Sequence, residues 1–202
     1  MTKIKKEYGD KVRKHLLESA EVKKRVAEDC IESILGATQL IVDTFESGGK
    51  IMICGNGGSA ADSQHMAGEF ICALNKTFNR PGFPAIALTT DTSILTAYAN
   101  DINFDGIFER QVQALGKPHD LLVGISTSGT SKNVLAALKM AKSLKLKTLA
   151  LTGENETLSK MADITISVSS SNTQYIQESH LAIEHIVCEL VEDHFFGTKN
   201  TA

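Results

Sequence analysis

The 202-residue chain has no tryptophan, three prolines and only 5% aromatic residues. A surface that stacks nucleic-acid bases wants clustered aromatics beside basic side chains. Lysine and arginine number 21 against 24 acidic residues, for a net charge of −3 with no basic stripe, so no nucleic-acid partner is expected. No apolar run approaches the ~18 residues of a membrane helix. The segment Met1 to Glu18 is charged and lacks the apolar centre of a secretory signal. Cys30, Cys54, Cys72 and Cys188 are scattered without C-x-x-C spacing. They read as reduced, mostly buried thiols of a cytoplasmic protein rather than a disulfide framework.

What is present is alternation. Residues from about 10 to 46 read as two helices, the second carrying Ile31, Ile34, Leu35, Ala37, Leu40, Ile41 and Phe45, and Ser47-Gly48-Gly49 stops it. Strands are predicted near 50–54, 84–88, 121–125, 147–152 and 163–168. Helices lie between them near 59–73, 91–98, 104–115, 131–144 and 154–161, with a long final helix from about 173 to 194. Strands separated by helices need crossover connections, hence an α/β fold with a parallel sheet covered on both faces. The length suits one domain over 1–202 with a sizeable core, and no linker or repeat divides it. The end from Gly197 to Ala202 is expected to be loose. Ligands of such sheets gather beyond the carboxyl ends of the strands.

Three polar segments follow predicted strands. The first, Gly55-Asn56-Gly57-Gly58-Ser59-Ala60, opens a helix on which His65 and Glu69 share one face at i, i+4 spacing. It loosely fits a dinucleotide fingerprint, but the acidic residue expected about 20 positions on is missing, and no Gly-Lys-Ser/Thr makes it a P-loop. A tight turn capped by Ser59 is the plain alternative. The second, Ser126-Thr127-Ser128-Gly129-Thr130-Ser131, precedes a helix with Val134, Leu135, Leu138, Ala141 and Leu144 on its apolar face. Capping needs one or two hydroxyls, whereas five hydroxyls with free helix amides suit a phosphate dianion. The third is Thr89-Thr90-Asp91-Thr92-Ser93. The final helix has a core stripe of Ile183, Ile186, Val187, Leu190 and Val191, and a second line of Gln177, Leu181, His185 and Cys188. Two useful faces imply burial between the core and a neighbouring subunit. Taken singly, His65 and His185 read as ordinary semi-buried histidines.

Together, Cys54-Gly55-Asn56-Gly57-Gly58-Ser59, His65-x-x-x-Glu69, Ala99-Asn100-Asp101, Gly124-Ile125-Ser126-Thr127-Ser128-Gly129 and Ile176-Gln177-Glu178-x-His180-x-x-x-x-His185 stand in an order and spacing that resembles the bacterial phosphoheptose isomerases of the sugar isomerase (SIS) domain superfamily. The resemblance covers roughly residues 28–195. It implies a flavodoxin-like three-layer sandwich with a five-stranded parallel sheet, a homotetramer, and active sites shared between subunits. By position, Asn56, Gly57 and Gly58 match the substrate loop, Ser126, Thr127, Ser128 and Ser131 the phosphate cradle, and Asn100 and Asp101 a sugar-contacting pair. His65, Glu69, Gln177 and His185 match the set that holds zinc, one ion per subunit, in metal-bound members.

The implied substrate is a phosphorylated heptulose. The implied reaction is aldose–ketose exchange between sedoheptulose 7-phosphate and D-glycero-D-manno-heptose 7-phosphate through an enediol. Its setting would be bacterial heptose biosynthesis, which feeds lipopolysaccharide, capsule or S-layer glycans. Glu69 is the expected base and His185 its acid partner, with Gln177 also on the substrate. An alternative is a phosphosugar-binding or replication-initiator-associating paralogue without catalysis; such relatives tend to lose the Glu and the last His, which are both kept here. One departure stands out. Cys72-Ala73-Leu74 occupies the place where the family commonly has Gly-Arg-aromatic, so a guanidinium is missing unless Lys76 or Arg80 stands in.

Overall fold

The computed structural model describes residues 4–77 and 79–197, with side chains from Tyr8 onward. The expected loose end lies, past Gly197, outside the described residues. Two helices lead, α1 (Ile4–Asp29) and α2 (Ile31–Glu46). Alternation follows: β1 (Ile51–Gly55), α3 (Gly58–Ile71), β2 (Ala85–Ala87), α4 (Thr92–Asp101), α5 (Ile107–Leu115), β3 (Leu121–Ser126), α6 (Lys132–Ser143), β4 (Lys147–Thr152), α7 (Glu156–Ser159), β5 (Ile164–Ser167) and α8 (Thr173–Phe196). Boundaries fall within a few residues of the sequence expectation, except that α1 begins at Ile4, six residues before the expected start. Helix α7 is shorter than predicted, and a 3-10 turn at Phe104–Gly106 precedes α5.

The five strands are all parallel, in the order β2-β1-β3-β4-β5. This is the flavodoxin-like order, whose direction of winding reverses between β1 and β3. Period-two alternation sorts the strand side chains to two faces. Ile51, Ile53, Leu121, Val123, Ile125, Leu149, Leu151 and Ile166 face α1, α2, α3 and α8. Met52, Cys54, Leu122 and Ala150 face α5 and α6. Gly124 shares that second face, where a Cβ would stand 2.9 Å from Val134 Cγ1 on α6, so a glycine is needed there. All four cysteines are free; Cys72 alone is exposed, and burial pushes the Cys54 thiol up to about 12.

Two predicted core stripes are divided. On α8, Ile183, Val187, Val191 and Cys188 are in the core, but Ile186 is 42% exposed. On α2, Ile34, Ala37 and Ile41 are buried, while Ile31 and Leu35 are 52% and 48% exposed. These outward residues line an open apolar groove of about 500 Å³ with Val26, Ala27, Ile183 and Leu190. The sheet face is narrower than the apolar arc of each helix, so the surplus turns away from it.

Helix α8 is pinned to the sheet by His180, fully buried, whose Nε2 donates to the Thr152 carbonyl at 3.1 Å. That bond leaves Nδ1 as a bare acceptor, without a hydrogen-bond partner. Burial lowers the His180 pKa to about 4, so the folded state holds it neutral. A histidine whose pKa falls on folding contributes stability that is fully present above its unfolded value of ~6.5 and is lost as pH falls toward 4. The stability gap between wild type and His180→Gln should therefore widen between about pH 4 and pH 6.5, by a few kcal/mol at most. Thermal melts across that range check it, and a gap independent of pH would contradict it.

Candidate active site

Strand β1 ends in a turn that only glycines permit. A Cβ on Gly55 would meet the Ser59 backbone oxygen at 2.7 Å, and Gly57 has φ +57°. Helix α3 then starts from Gly57, with no side chain capping its amides. The amides of Ser59, Ala60 and Ala61 are taken instead by the backbone carbonyls of Asn56 and Gly57, at 3.0–3.2 Å. The Asn56 side chain reaches across the winding-reversal point to Asn133 on α6. Each amide donates to the other's oxygen, both at 2.8 Å.

Strand β3 ends one loop away. Its hydroxyls turn toward one another: Ser126 Oγ lies 2.9 Å from Ser131 Oγ and 3.3 Å from Ser128 Oγ. Thr130 donates to Ser128 from both its amide (3.3 Å) and its hydroxyl (3.2 Å). Ser131 is the residue before α6 yet makes no capping bond. The capping alternative therefore does not account for this hydroxyl. Gly129, at φ +67°, has no room for a side chain, since a Cβ would approach Asn155 O and Thr152 Oγ1 at 2.8 Å. The result is a neutral, donor-rich turn at the positive end of a helix.

The third component lies where α3 meets α8. His65 and Glu69 come from α3 and His185 from α8. His65 Nε2 and His185 Nε2 are 2.7 Å apart, one ring donating and the other accepting. Glu69 Oε1 is 3.5 Å from His65 Nε2. One potential ligand atom from each of the three lies within 4.8 Å of the others. Two imidazoles and a carboxylate form a donor set that zinc accepts. All three are half-buried, open enough for a ligand to reach. Gln177, also on α8, rests against the start of α3, where a Cβ on Gly58 would be 3.4 Å from Gln177 Cγ. Gln177 Nε2 donates to Asp62 Oδ1 at 2.6 Å. Burial raises the Asp62 pKa, opposed by the Gln177 bond and by His65.

The remaining sequence candidates fall elsewhere. Asn100 and Asp101 sit on the exposed end of α4, and Asn100 Nδ2 donates to Asp101 Oδ1 at 2.7 Å. No other side-chain hydrogen bond ties them to the site among the described residues. Glu178 points the other way, accepting from Ser19 and from His15 on α1. Arg80 does not replace the missing guanidinium. It is buried in an ion pair with Glu192 at 2.7 Å, with both side chains at most 1% exposed. Removing one partner of such a pair costs about 3–5 kcal/mol. Asp62, Asn133 and Glu192, the partner of Arg80, are the residues that sequence reasoning passed over. Asp62 and Asn133 each lie two residues past a quoted segment, which ends at Ala60 or Ser131, but a single buried polar residue has no periodicity to announce it.

A parallel sheet of this order, with a hydroxyl-lined helix start beside the winding reversal, is the architecture of a sugar isomerase domain, and residues 14–153 match the family model described as SIS domain. The phosphoheptose isomerase of Roseiflexus sp. (strain RS-1) is 48% identical over 179 residues, covering 88% of this chain and 90% of that one. That of Chlorobaculum parvum is 48% identical over 187 residues, covering 92% and 90%. The solved phosphoheptose isomerase of Neisseria gonorrhoeae superposes with a TM-score of 0.87 at 39% identity, over 92% of this chain and 99% of that one. The chain belongs to the phosphoheptose isomerase family and is an isomerase. The non-catalytic alternative is thereby set aside.

The hydroxyl turn makes a direct prediction. Ser126→Ala or Ser128→Ala should leave folding intact and raise KM for a phosphorylated substrate by about tenfold to a hundredfold, the value of a hydrogen bond to a charged group. Inorganic phosphate or sulfate should compete with that substrate. Equal efficiency toward a heptulose lacking the phosphate would show that the turn binds something else.

Proposed function

We propose that this chain interconverts sedoheptulose 7-phosphate and D-glycero-D-manno-heptose 7-phosphate through an enediol. The observation that carries the reading is the His65–Glu69–His185 cluster on α3 and α8, joined to a hydroxyl-lined helix start by the Asn56–Asn133 pair. The phosphate sits in the Ser126–Ser131 turn, with Ser126, Thr127, Ser128 and Ser131 around it, where helix amides and hydroxyls meet its charge. Asn56, Gly57 and Gly58 hold the sugar, with Gln177, Asn100 and Asp101 as further contacts. Glu69 takes a proton from C1 of the ketose and returns it to C2. His185 moves a proton between O2 and O1, so atoms and charge balance across the step. His65, Glu69, Gln177 and His185 would hold one zinc ion per subunit. When bound, the ion would polarise the substrate carbonyl and favour charge on the enediol oxygens.

The same reading extends to assembly and setting. The apolar groove lined by Ile31, Leu35 and Ile186 suits a second copy of the chain, and the proposed assembly is a homotetramer. No helix among the described residues is long and apolar enough to cross a membrane. Free cysteines, one of them exposed, favour a reducing cytoplasm. The product would serve heptose-containing glycans such as lipopolysaccharide.

A coupled assay with sedoheptulose 7-phosphate tests the activity. Glu69→Gln should keep the fold and substrate binding while turnover falls on the order of 10²–10⁴-fold. Retention of more than about a tenth of the wild-type rate would remove Glu69 as sole base. Added zinc should raise the melting temperature by mass action, and His185→Ala should lose most of that rise. Absence of both bound metal and a thermal shift would overturn the zinc assignment alone. Sedimentation showing a monomer at micromolar concentration would overturn the tetramer.

A further inference from the structure

The Arg80–Glu192 pair belongs to no substrate contact in the reading above, yet it ties together the two helices that supply them. Arg80 has five N–H donors, and all five are used. Nε donates to Glu192 Oε1 at 2.8 Å, and Nη2 donates to Glu192 Oε1 at 2.7 Å and to the Glu69 carbonyl at 2.9 Å. Nη1 donates to the carbonyls of Phe70 at 2.8 Å and Pro81 at 3.0 Å. The guanidinium also lies over the Phe83 ring, 4.7 Å from its centroid, which fixes its plane. Glu192 completes the arrangement by accepting from the amides of Leu74 (2.9 Å) and Asn75 (2.8 Å).

The placement matters because Glu69 lies in the last turn of α3, which ends at Ile71. Carbonyls in a last helical turn lack partners within the helix, and such turns fray. Here the carbonyl of Glu69 itself is held by Arg80. Glu192 is seven residues past His185 on α8, so the two lie on one side of that helix. The pair thus joins the end of α3, beside Glu69, to the stretch of α8 two turns beyond His185.

We propose that Arg80 and Glu192 are positioning residues for Glu69, holding its carboxylate in register with His65 and His185. The inference rests on Glu69 being the proton-transferring carboxylate. Lysine cannot substitute, because an ammonium offers three donors around a point where a planar fork of five is used.

The test uses the intact enzyme with Arg80→Lys, Glu192→Gln and the double variant Arg80→Met/Glu192→Met, which removes both charges together. Displacement of a catalytic group by about an ångström costs up to about a hundredfold. The expected result is a kcat about tenfold to a hundredfold lower with KM changed less than about threefold. Amide hydrogen exchange at residues 72–75 should quicken, while helix content and oligomeric size stay as in wild type. A folded variant with kcat within about twofold of wild type, whatever its loss of melting temperature, would overturn the proposal. If the single variants do not fold, the double variant decides by the same criterion. Glu69→Gln measured in parallel separates the two levels. Full turnover there overturns the role of Glu69 and the clamp with it; loss of turnover there with wild-type kcat in Arg80→Lys overturns the clamp alone.

Discussion

The chemistry of this molecule depends on the parallel register of β1, β3 and β4. Gly55 pairs with Ile125, and Ser126 with Thr152, so three strands end level at one edge of the sheet. Each crossover must then begin its helix from that edge. Because winding reverses between β1 and β3, α3 and α6 leave on opposite faces of the sheet. Their starting loops separate, and a ligand can enter between them. Asn56 and Asn133 bridge that division with two reciprocal bonds. A change of register by one residue would reverse the faces of every strand side chain. It would also pull the glycine turn and the hydroxyl turn out of line.

The second condition is electrostatic. The seam between α3 and α8 is rich in carboxylates. Asp62, Glu184 and Glu192 are each at most 3% exposed, with Glu69 nearby. Burial, and then the neighbouring Asp62, raises the Glu184 pKa well above its ordinary value. Burial pushes the Cys188 thiol up as well, helped by Glu184, Glu69 and Glu192 and opposed by Arg80. Such a seam is short of positive charge. One guanidinium supplies it at the Glu192 end. At the other end His65 and His185 stand beside Glu69, where a divalent cation would be favoured. The donor chemistry and the local field therefore argue in the same direction.

Much of this was legible in the sequence because periodicity and turn chemistry are local. The five strands, the helix stop at Ser47-Gly48-Gly49, and the glycine and hydroxyl turns all carry their signal within a few residues. Ile31, Leu35 and Ile186 were not legible as surface residues. A helical stripe shows that residues share a face, but not how wide a face the sheet can cover. From the sequence, Arg80 is one of two residues, with Lys76, that could stand in for the missing guanidinium. Its true environment depends on Glu192, Glu69, Phe70 and Phe83, which are brought together by the return from α3 to β2 and by the far end of α8. Asn100 and Asp101 show the opposite limit, since matching a motif did not bring them to the cluster within one protomer.

The fate of Arg80 bears on how the anion is held. The Cys72-Ala73-Leu74 segment offers no guanidinium, and the one ten residues after Phe70 is spent inside the protein. Lys132 opens α6 but its Nζ leans toward Asp105 at 3.8 Å, and it is largely exposed. On the proposed reading, the Ser126–Ser131 turn would meet an anion chiefly with dipoles: hydroxyls that already face one another, and the first amides of α6. A dipolar cradle costs no desolvation of a buried cation. Such a cradle is chemically sensible for an isomerase. The phosphate needs only to be gripped equally throughout the reaction, whereas charge must develop and vanish on the enediol oxygens, and the groups that titrate or ligate belong there.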